Sequence, residues 1–521
     1  MRLLWTPGRS LPTVPLVSLT LALSLLLTAC SSAPAPAPTA AAKTEAKPTT
    51  APSPAAASAP ASSPAIAPSP ATAPSPAAAA ASPAASPVAA PASPVASPPA
   101  SPSPVAAVST AGRITATHTL PELPIAAFQN AKLPGSVPTD RKLLLGGIGS
   151  DLWHSPGDPA DEFWMVTDRG PNGLVPVAGQ QRRTFPIPEF TPTIVKVRAA
   201  GGTVTILEQF PILGQSGKPV TGMSNLDKID ETPYDFKAET SLPFNPSGLD
   251  TEGIVRTASG DFWLVEEYSP SIVKVDATGK VVKRFVPEGL KLPGADYPVV
   301  EALPAIYGKR KINRGFEGLA LSPDGKTIFV TLQSPLLNPD ATTGNASRIT
   351  RILAFDIATE KPTAEYVYRF DVSTEFDTTA ARAATEMKLS GVIALSPTSL
   401  LILERTDWVA KLYRVDLTQA TNILGSKWND AATTPTLESI TDPAVVNDLK
   451  MLPKTLVIAL NELPGVPDKI EGIAFVDRNT LVIANDNDFD IGTFDGDGNN
   501  VGTSARSRVL YIALTTPLPV P

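Results

Sequence analysis

Residues 250–268 read DTEGIVRTASGDFWLVEEY: an acidic residue and a glycine, an apolar run, a polar turn, a second apolar run and an acidic end. The same order of features returns in four other segments. They begin at Leu145, Phe316, Leu389 and Ile470 and read LGGIGSDLWHSPGDPADEFWMVTDRG, FEGLALSPDGKTIFVTLQS, LSGVIALSPTSLLILERT and IEGIAFVDRNTLVIANDND. Short apolar runs between turn residues are typical of β-strands, and their recurrence is typical of a repeat architecture. The folded part of the chain is therefore expected to be all-β.

A second strand pair follows several of the copies, as in TPTIVKVRAAGGTVTILEQF, so each repeat has about four antiparallel strands. This pattern predicts a β-propeller of five or six four-stranded blades. We take as equivalent the residues Gly146, Glu252, Glu317, Ser390 and Glu471. The segments near Ile114 and Val509 are predicted to complete one blade from both ends of the chain. A β-sandwich or two smaller β domains is the alternative, but neither accounts for the repeated unit.

One segment has a helical pattern. Residues 378–389, TTAARAATEMKL, are rich in Ala and other good helix formers, and we expect a short surface helix there.

The first thirty residues have the form of a lipoprotein export signal. A basic start is followed by an apolar run that ends at Leu27 and is short for a membrane span. The sequence Leu27-Thr28-Ala29-Cys30 resembles the bacterial lipobox, in which the cysteine thiol receives diacylglycerol. Residues 1–29 are predicted to be the signal peptide and Cys30 to be lipidated. An ordinary secretory peptide with a coincidental cysteine is the alternative.

Composition divides the rest of the chain into two parts. Residues 30–112 comprise Cys30 and a segment rich in Pro, Ala and Ser, which we expect to be a disordered linker because it has little apolar surface to bury. Residues 113–521 are expected to form the globular domain. The predicted location is extracytoplasmic, with the lipid anchor in the bacterial cell envelope.

Charge and cysteine content exclude several functions. The formal net charge of −7 gives no basic face for nucleic acid, so we expect no nucleic-acid partner. The single cysteine, Cys30, leaves no thiol for an internal disulfide, a catalytic nucleophile or a zinc–thiolate site. We expect a monomer that contacts the membrane through its lipid and acts on a small molecule.

The motifs MVTDRGPNG, DTEGI…FWLVEEYSPSI, GFEGLALSPDGKTIFVTLQSPL and KIEGIAFVDRNTLVIANDND, in this order, resemble the phytase-like family, labelled "esterase-like activity of phytase". The resemblance covers about residues 143–518. It implies hydrolysis of a phosphate ester or another ester, without fixing the substrate.

The repeated glutamates are the candidate catalytic residues. In a propeller the innermost strands line a central channel, so Glu252, Glu317 and Glu471 can converge there. Convergent carboxylates repel one another unless a cation neutralises them, and oxygen ligands favour Ca²⁺ or Mg²⁺. Further candidate metal ligands lie at the ends of the second strands: Asp168, Glu267, Glu404, Asp486 and Asp488. We predict a Ca²⁺ site, with backbone capping by the three glutamates as an equally weighted alternative.

Three arginines beside the repeat motifs are candidates for binding phosphate, because a guanidinium group matches phosphate geometry: Arg169, Arg314 and Arg405. Each could instead pair with a neighbouring carboxylate. The acidic segment 488–500, DFDIGTFDGDGNN, could bind calcium, but it lacks the final Glu of an EF-hand, so a solvated hairpin tip is the preferred interpretation.

A serine-hydrolase mechanism is disfavoured, since only His118 and His154 are present and no G-x-S-x-G motif occurs. His154 lies near Ser150 and Asp151 only in sequence. The leading hypothesis is a divalent-cation-dependent hydrolase of phosphate esters or other esters. The alternative is a non-catalytic propeller that binds a ligand or partner protein at the cell envelope.

Overall fold

The computed structural model of the protein describes residues 112–442 and 446–519. The predicted signal peptide, Cys30 and nearly all of the predicted linker lie outside these residues.

The described chain is built almost entirely from β-strands. In chain order they are β1 Gly112–Thr119, β2 Leu152–Trp153, β3 Glu162–Val166, β4 Gly173–Val177, β5 Gln180–Thr184, β6 Thr193–Ala200, β7 Thr203–Pro211, β8 Pro233–Tyr234, β9 Thr251–Arg256, β10 Phe262–Glu266, β11 Ser271–Val275, β12 Val281–Pro287, β13 Val299–Leu303, β14 Phe316–Leu321, β15 Thr327–Leu332, β16 Ile349–Asp356, β17 Lys361–Arg369, β18 Lys388–Ser396, β19 Ser399–Arg405, β20 Ala410–Asp416, β21 Lys454–Ala459, β22 Ile470–Asp477, β23 Thr480–Asn485, β24 Thr493–Phe494, β25 Asn500–Val501 and β26 Arg508–Leu514.

The helices among the described residues are short. The α-helices are α1 Ile125–Phe128, α2 Ala341–Ala346 and α3 Ser373–Phe376. Turns of 3-10 helix lie at Ala305–Lys309, Ala384–Glu386, Leu417–Gln419, Lys427–Asn429, Leu437–Ser439, Leu460–Glu462 and Asp488–Asp490. None of these helices has the length and apolar character needed to cross a membrane.

The main strands form groups of four that follow the sequence repeats. Unit 1 is β2-β3-β6-β7, unit 2 is β9-β10-β11-β12, unit 3 is β14-β15-β16-β17, and unit 4 is β18-β19-β20-β21. Unit 5 is β22-β23-β26-β1, and β13 adds to unit 2 as a parallel outer strand. The remaining strands form the small sheets β4-β5-β8 and β24-β25. The predicted hairpin turn of unit 1 is confirmed, since Gly201 and Gly202 join β6 to β7 with φ of 60° and 85°.

The predicted pairing of the two chain ends is also confirmed. β1 runs antiparallel to β26, with Ile114 opposite Ile512 and His118 opposite Val509. β1 also meets β7 through the parallel pair Thr119–Thr203, so units 1 and 5 share one eight-stranded sheet.

The first strands of the units contact one another in a closed order. β2 contacts β9, β9 contacts β14, β14 contacts β18, β18 contacts β22, and β22 contacts β2. These inner strands therefore form a ring, with the other strands of each unit outside it. The result is a propeller-like all-β fold.

The hydrophobic core is divided among the spaces between neighbouring units. Trp164 of unit 1 packs with Phe262 of unit 2, and Phe285 of unit 2 packs with Phe355 of unit 3. Equivalent clusters lie between units 3 and 4, 4 and 5, and 5 and 1. Each buried aromatic or aliphatic side chain contributes about 1.5–3 kcal/mol, so the packing between units stabilises the whole ring.

The helix predicted at residues 378–389 is wrong. Only a 3-10 turn at Ala384–Glu386 forms there, and Lys388 already begins β18. Met387 and Leu389 pack in the core between units 3 and 4. Arg382 donates a hydrogen bond to Asp377, and its guanidinium carbon lies 3.5 Å from the centroid of the Trp408 ring. These tertiary contacts override the local helix propensity.

Candidate functional site

In units 2, 3 and 5 a Glu-Gly pair lies near the start of the inner strand, and in unit 4 the pair Ser390-Gly391 takes the same place. The glycine of the pair lets adjacent inner strands approach: a β-carbon at Gly253 would lie 2.8 Å from the carbonyl oxygen of Glu317, and one at Gly391 would lie 2.6 Å from that of Glu471. The acidic residue before the glycine is thereby held at the mouth of the ring.

The structure corrects the residue assigned to unit 1. Asp151, not Gly146, occupies the position of Glu252, because Leu152 pairs with Met165 as Gly253 pairs with Val265. A β-carbon at Gly472 would lie 2.9 Å from the carbonyl carbon of Asp151, which repeats the contact between inner strands. The first repeat lacks a Glu-Gly pair, so Gly146 was wrongly aligned with the repeated glutamates.

The three repeated glutamates come together as anticipated. Carboxylate oxygens of Glu252, Glu317 and Glu471 lie within 4.8 Å of one another, and so do those of Asp250, Glu252 and Glu267. Glu252 belongs to both groups. We call these five residues the carboxylate cluster.

Burial and mutual repulsion dominate the electrostatics of the cluster. The pKa of Glu252 is raised well above its ordinary value, first by burial and then by the charges of Asp250 and Glu317. Burial also raises the pKa of Glu267 well above its usual range, although Arg169 and Arg314 oppose the shift. Without a cation, burial and mutual repulsion therefore favour the protonated forms of these carboxyl groups.

Two members of the cluster, Glu317 and Glu471, are bound by Arg405. The guanidinium of Arg405 binds Glu471 and lies 3.5 Å from Glu317 Oε1, and its Nε donates to Ser390 Oγ at 2.8 Å. Ser390 Oγ donates to Glu317 Oε1 at 3.0 Å, and Gln333 Nε2 donates to Glu317 Oε2 at 2.6 Å. Units 3, 4 and 5 are thus tied together by one polar network.

Glu252 and Glu267 differ from these two. Among the described residues, neither side chain makes a hydrogen bond or an ion pair, and the charges that act most strongly on Glu252 are those of carboxylates. Asp250 is paired, with Oδ2 at 2.9 Å from Arg169 Nη1. Arg169 is held further by the hydroxyl of Tyr268 at 3.1 Å and by Asn313.

Arg314 is the one of the three predicted arginines with no side-chain partner in residues 112–442 and 446–519. Its Nη1 is buried and has no hydrogen-bond acceptor. Burial lowers the pKa of Arg314. The negative charge of Glu267 raises this pKa, and repulsion from Arg405 lowers it further. The Arg314 guanidinium, which has an N–H without an acceptor, therefore lies near Glu267, a carboxylate that makes no ion pair.

A family model described as "Phytase-like: Esterase-like activity of phytase" matches residues 144–489, well over half of the chain. The chain belongs to this phytase-like family.

The phytase-like protein also matches an "Uncharacterized secreted protein" of Arthroderma benhamiae, with 28% identity over 272 residues, which is 43% of this chain and 51% of the relative. The chain thus spans about half the length of that relative.

Similar solved structures include PhoX of Pseudomonas fluorescens in complex with vanadate. The two proteins are 10% identical, the match covers 78% of this chain and 97% of PhoX, and the TM-score is 0.31. Regucalcin of Agrobacterium tumefaciens, a calcium-binding protein, has 11% identity, coverages of 72% and 92% and a TM-score of 0.30. TM-scores this low support no conclusion about the phytase-like domain.

The other predicted metal ligands of the phytase-like domain have separate surroundings. Asp168 accepts from the Gly170 amide at 2.8 Å, and its pKa is raised well above the usual range by burial and by Asp486. Asp486 lies 2.9 Å from Lys469 Nζ, which also binds Asp488.

Glu404 lies apart from the carboxylate cluster. Its carboxylate accepts from the Tyr368 hydroxyl, from Lys454 and from the Asp371 amide. Because successive strand residues face opposite sides of a sheet, Arg405 faces the carboxylate cluster and Glu404 faces away from it. The same alternation separates Glu267 from Glu266, which pairs with buried Arg284 at 2.6 Å.

No Ser–His pair forms between the residues considered from sequence. Ser150 Oγ donates to the Gly147 carbonyl at 3.2 Å, while His154 Nε2 lies 3.2 Å from the Pro159 carbonyl. His118 Nδ1 accepts from the Gly202 amide at 3.1 Å, at the junction of β1 and β7. The phytase-like domain therefore has no assembled triad from these groups.

The site residues predicted from sequence do not include Asp250, Ser390 or Gln333, although Ser390 was aligned with the repeated glutamates. Ser390 and Gln333 occupy repeat positions that hold acidic residues in other units, so comparing the repeats position by position could have identified both. The repeats give no such signal for Asp250, since Gly315 and Lys469 hold the equivalent positions in units 3 and 5.

Proposed function

We propose that the phytase-like domain hydrolyses phosphate esters with the help of a divalent cation, Ca²⁺, bound at the carboxylate cluster. One observation carries the proposal: Glu252 and Glu267 make no ion pair to any described residue, while Arg314, whose charge acts on Glu267, has a buried N–H without an acceptor. A bound cation together with an anionic ester would satisfy both sets of groups.

The donor set of the cluster fits a hard cation. All five members offer carboxylate oxygens, and several of these converge within 4.8 Å. Oxygen-only ligands select Ca²⁺ or Mg²⁺, and Ca²⁺ accepts the more irregular arrangements. Asp250, Glu252 and Glu267 would hold the ion, and Glu317 and Glu471 lie within reach of Glu252. When bound, the ion supplies polarisation of the phosphoryl oxygens and a lowered pKa for coordinated water.

Side chains of the carboxylate cluster and its arginines would bind the phosphate group, position the carboxylates and transfer the proton. Arg314 donates to the phosphoryl oxygens, whereas Arg169 and Arg405 hold Asp250 and Glu471 in place. Water oxygen bonds to phosphorus as the bond from phosphorus to the ester oxygen breaks. Glu252, Glu317 and Glu471 are the candidates to accept the proton from water. The protonated carboxyl group then returns this proton to the departing alkoxide, which leaves as the alcohol.

We further infer that the ring has five blades, one for each unit, and that the domain is a monomer. The closed order of inner-strand contacts supports this count. Secretion is consistent with the secreted relative, and the Leu27–Cys30 motif favours lipid anchoring at the cell envelope.

A non-catalytic binding domain is the second candidate. It is favoured by the network around Glu317, in which Ser390, Gln333 and Arg405 already satisfy a carboxylate that an enzyme would need. In that case Ca²⁺ would only stabilise the fold, and the ligand would bind at the end of the central channel where the carboxylate cluster lies.

The deciding experiment measures phosphate release from phytate and p-nitrophenyl phosphate by the full-length protein, with Ca²⁺ and with chelator. Glu252→Gln and Arg314→Gln should each remove most activity, whereas the exposed control Glu239→Gln should not. Release that is lost with chelator and in both variants supports the hydrolase. Tight Ca²⁺ binding without release from any ester favours the binding domain.

A further inference from the structure

The large apolar side chains that remain exposed on the described part of the chain are few. They are 37% to 55% exposed and comprise Leu174, Leu207, Ile229, Ile312, Trp408 and Val501. Single exposed apolar residues are common on any protein surface, whereas a group of them marks a binding surface. Their distribution over the fold therefore decides whether they have a role.

Five of the six lie at the same end of the ring. The connections β3–β6, β7–β9, β13–β14, β19–β20 and β23–β26 either leave a second strand or lead to an inner strand, at the end where the carboxylate cluster lies. Each connection contributes one exposed residue, and we call these residues the apolar rim: Leu174, Ile229, Ile312, Trp408 and Val501. Leu207 lies instead within β7, the outer strand of unit 1.

Two rim residues directly adjoin partners of the carboxylate cluster. The residue after Ile312 is an asparagine whose side chain accepts a hydrogen bond from Arg169. The residue before Trp408 is an aspartate whose Oδ1 lies 3.1 Å from Arg405 Nη1. Both arginines bind carboxylates of the cluster, so the apolar rim surrounds the site.

Ion pairs fix neighbouring rim connections to one another. Arg183 of the β3–β6 connection donates to Glu231 of the β7–β9 connection through two hydrogen bonds of 2.9 and 3.0 Å. Arg310 of the β13–β14 connection binds buried Asp230 of the β7–β9 connection. The three connections that present Leu174, Ile229 and Ile312 therefore form one continuous surface.

The charges beside two of the rim residues favour an anionic partner. Lys228 precedes Ile229 and is exposed, and Lys311 precedes Ile312 and is half-buried. Neither ammonium group makes a hydrogen bond or an ion pair to a described residue, while one exposed carboxylate, Asp227, stands beside Lys228. The two lysines thus exceed the local acidic charge, and lysines beside an anionic lipid surface are attracted to it.

The arrangement fits a lipid bilayer better than a protein partner. Protein interfaces have an apolar centre and a polar edge, whereas here the charged cluster lies at the centre and apolar side chains surround it. A bilayer surface accepts separate apolar side chains between its headgroups, and the indole of Trp408 suits the headgroup region. Roughly eighty residues lie between Cys30, which is proposed to carry a lipid, and Gly112, a length that lets any face of the domain reach the bilayer.

We infer that the apolar rim docks on a bilayer that contains anionic lipid, with the carboxylate cluster facing the headgroups. The inference draws on the lipid anchoring proposed for Cys30 and not on the proposed hydrolysis. It assigns the domain a membrane-facing surface of its own, in addition to the lipid.

The test uses Trp408 as a reporter, because the tryptophans at positions 153, 164, 263 and 428 are buried or half-buried. Full-length protein is mixed with vesicles of phosphatidylcholine and phosphatidylglycerol whose acyl chains carry bromine, which quenches tryptophan on contact. Wild-type fluorescence should be quenched, and Trp408→Phe should lose most of this quenching. Equal quenching in the two proteins, or none in either, would overturn the inference.

Variants of the rim measure its contribution. Ile312→Ser and Ile229→Ser should each lower the ratio of docked to undocked protein about fivefold, because each removes a half-exposed isoleucine from contact with lipid. Lys228→Gln should weaken docking only where phosphatidylglycerol is present. The matched control is Leu207→Ser, which removes an exposed leucine outside the rim and should change nothing. A loss of the same size in Leu207→Ser would reject the rim as the docking surface.

Two further measurements separate the rim from the anchor and from other partners. Flotation with vesicles that is lost in Cys30→Ser identifies the lipid anchor, whereas the difference in quenching between wild type and Trp408→Phe identifies contact by the rim. Sedimentation of Cys30→Ser without vesicles should show a monomer. A dimer that Ile312→Ser dissociates would identify a second copy of the chain as the occupant and reject the bilayer. None of these measurements uses an ester, so a failure of the proposed hydrolysis leaves them unchanged.

Discussion

Gly318 packs against the backbone of Ser390 so closely that a β-carbon on it would lie 2.1 Å from the Ser390 carbonyl oxygen. This contact joins the inner strands of units 3 and 4 directly beside Glu317. The spacing of the carboxylate cluster therefore depends on backbone contact between units as well as on the acidic side chains.

Gly318→Ala should destabilise the protein by about 1–3 kcal/mol, because the methyl group forces a backbone shift. It should also weaken Ca²⁺ binding by moving Glu317. Chemical denaturation and calcium calorimetry measure the two effects. The control is Gly308→Ala, where a β-carbon would meet nothing within 4 Å. If both alanine variants behave alike, close packing between the inner strands is not what positions the cluster.

Stability of the metal-free protein should fall as pH rises. Burial raises the pKa of Glu471 from 4.5 to about 8. Since the folded state binds this proton more tightly than the unfolded state, the stabilisation is fully present below pH 4.5 and is lost as pH rises through about 8. Added Ca²⁺ should therefore raise Tm more at pH 8 than at pH 5. Glu471→Gln should show a smaller pH dependence, and an unchanged profile would contradict the assignment.

Arg314→Gln should separate anion binding from metal binding. The variant removes a buried N–H that has no acceptor, so Tm should stay the same or rise. Calcium affinity should not fall. Affinity for inorganic phosphate in the presence of Ca²⁺ should fall about tenfold, because the variant loses one hydrogen bond to a charged group. Calorimetry with each ligand gives both values. A parallel loss of calcium affinity would indicate that Arg314 organises the cluster instead.

Arg284 and Glu266 form a fully buried ion pair within unit 2. Arg284→Ala should cost about 3–5 kcal/mol, because it leaves the Glu266 carboxylate buried without its cation. The double variant Arg284→Met with Glu266→Leu should recover part of the loss. Urea denaturation provides the free energies of unfolding. Lys291→Ala, which removes an exposed pair with Glu301, is the control and should change stability by about 1 kcal/mol or less.

The repeats allowed the strand pairs and the convergence of Glu252, Glu317 and Glu471 to be predicted, because apolar periodicity and turn residues act locally. The first unit was misaligned, since Asp151 is followed by Leu152 and not by glycine. The helix at residues 378–389 failed because core contacts of Met387 and Leu389 outweigh local propensity.

The roles of individual charged groups could not be read from sequence. Glu404 and Arg405 are adjacent in the chain, yet one binds Lys454 and the other binds the cluster. Likewise, three arginines beside repeat motifs look equivalent in sequence. Only the fold shows that Arg169 and Arg405 are paired and that Arg314 is not.

The pairing of β1 with β26 also governs when the domain can mature during biosynthesis. The two strands are separated in sequence by nearly the whole domain. Unit 5 therefore cannot be completed until residues 508–514 have been synthesised. Until then, apolar side chains between units 1 and 5 stay uncovered, and exposed apolar surface of this kind favours aggregation. The interface between units 1 and 5 is therefore the last part of the ring to be protected as the chain is made.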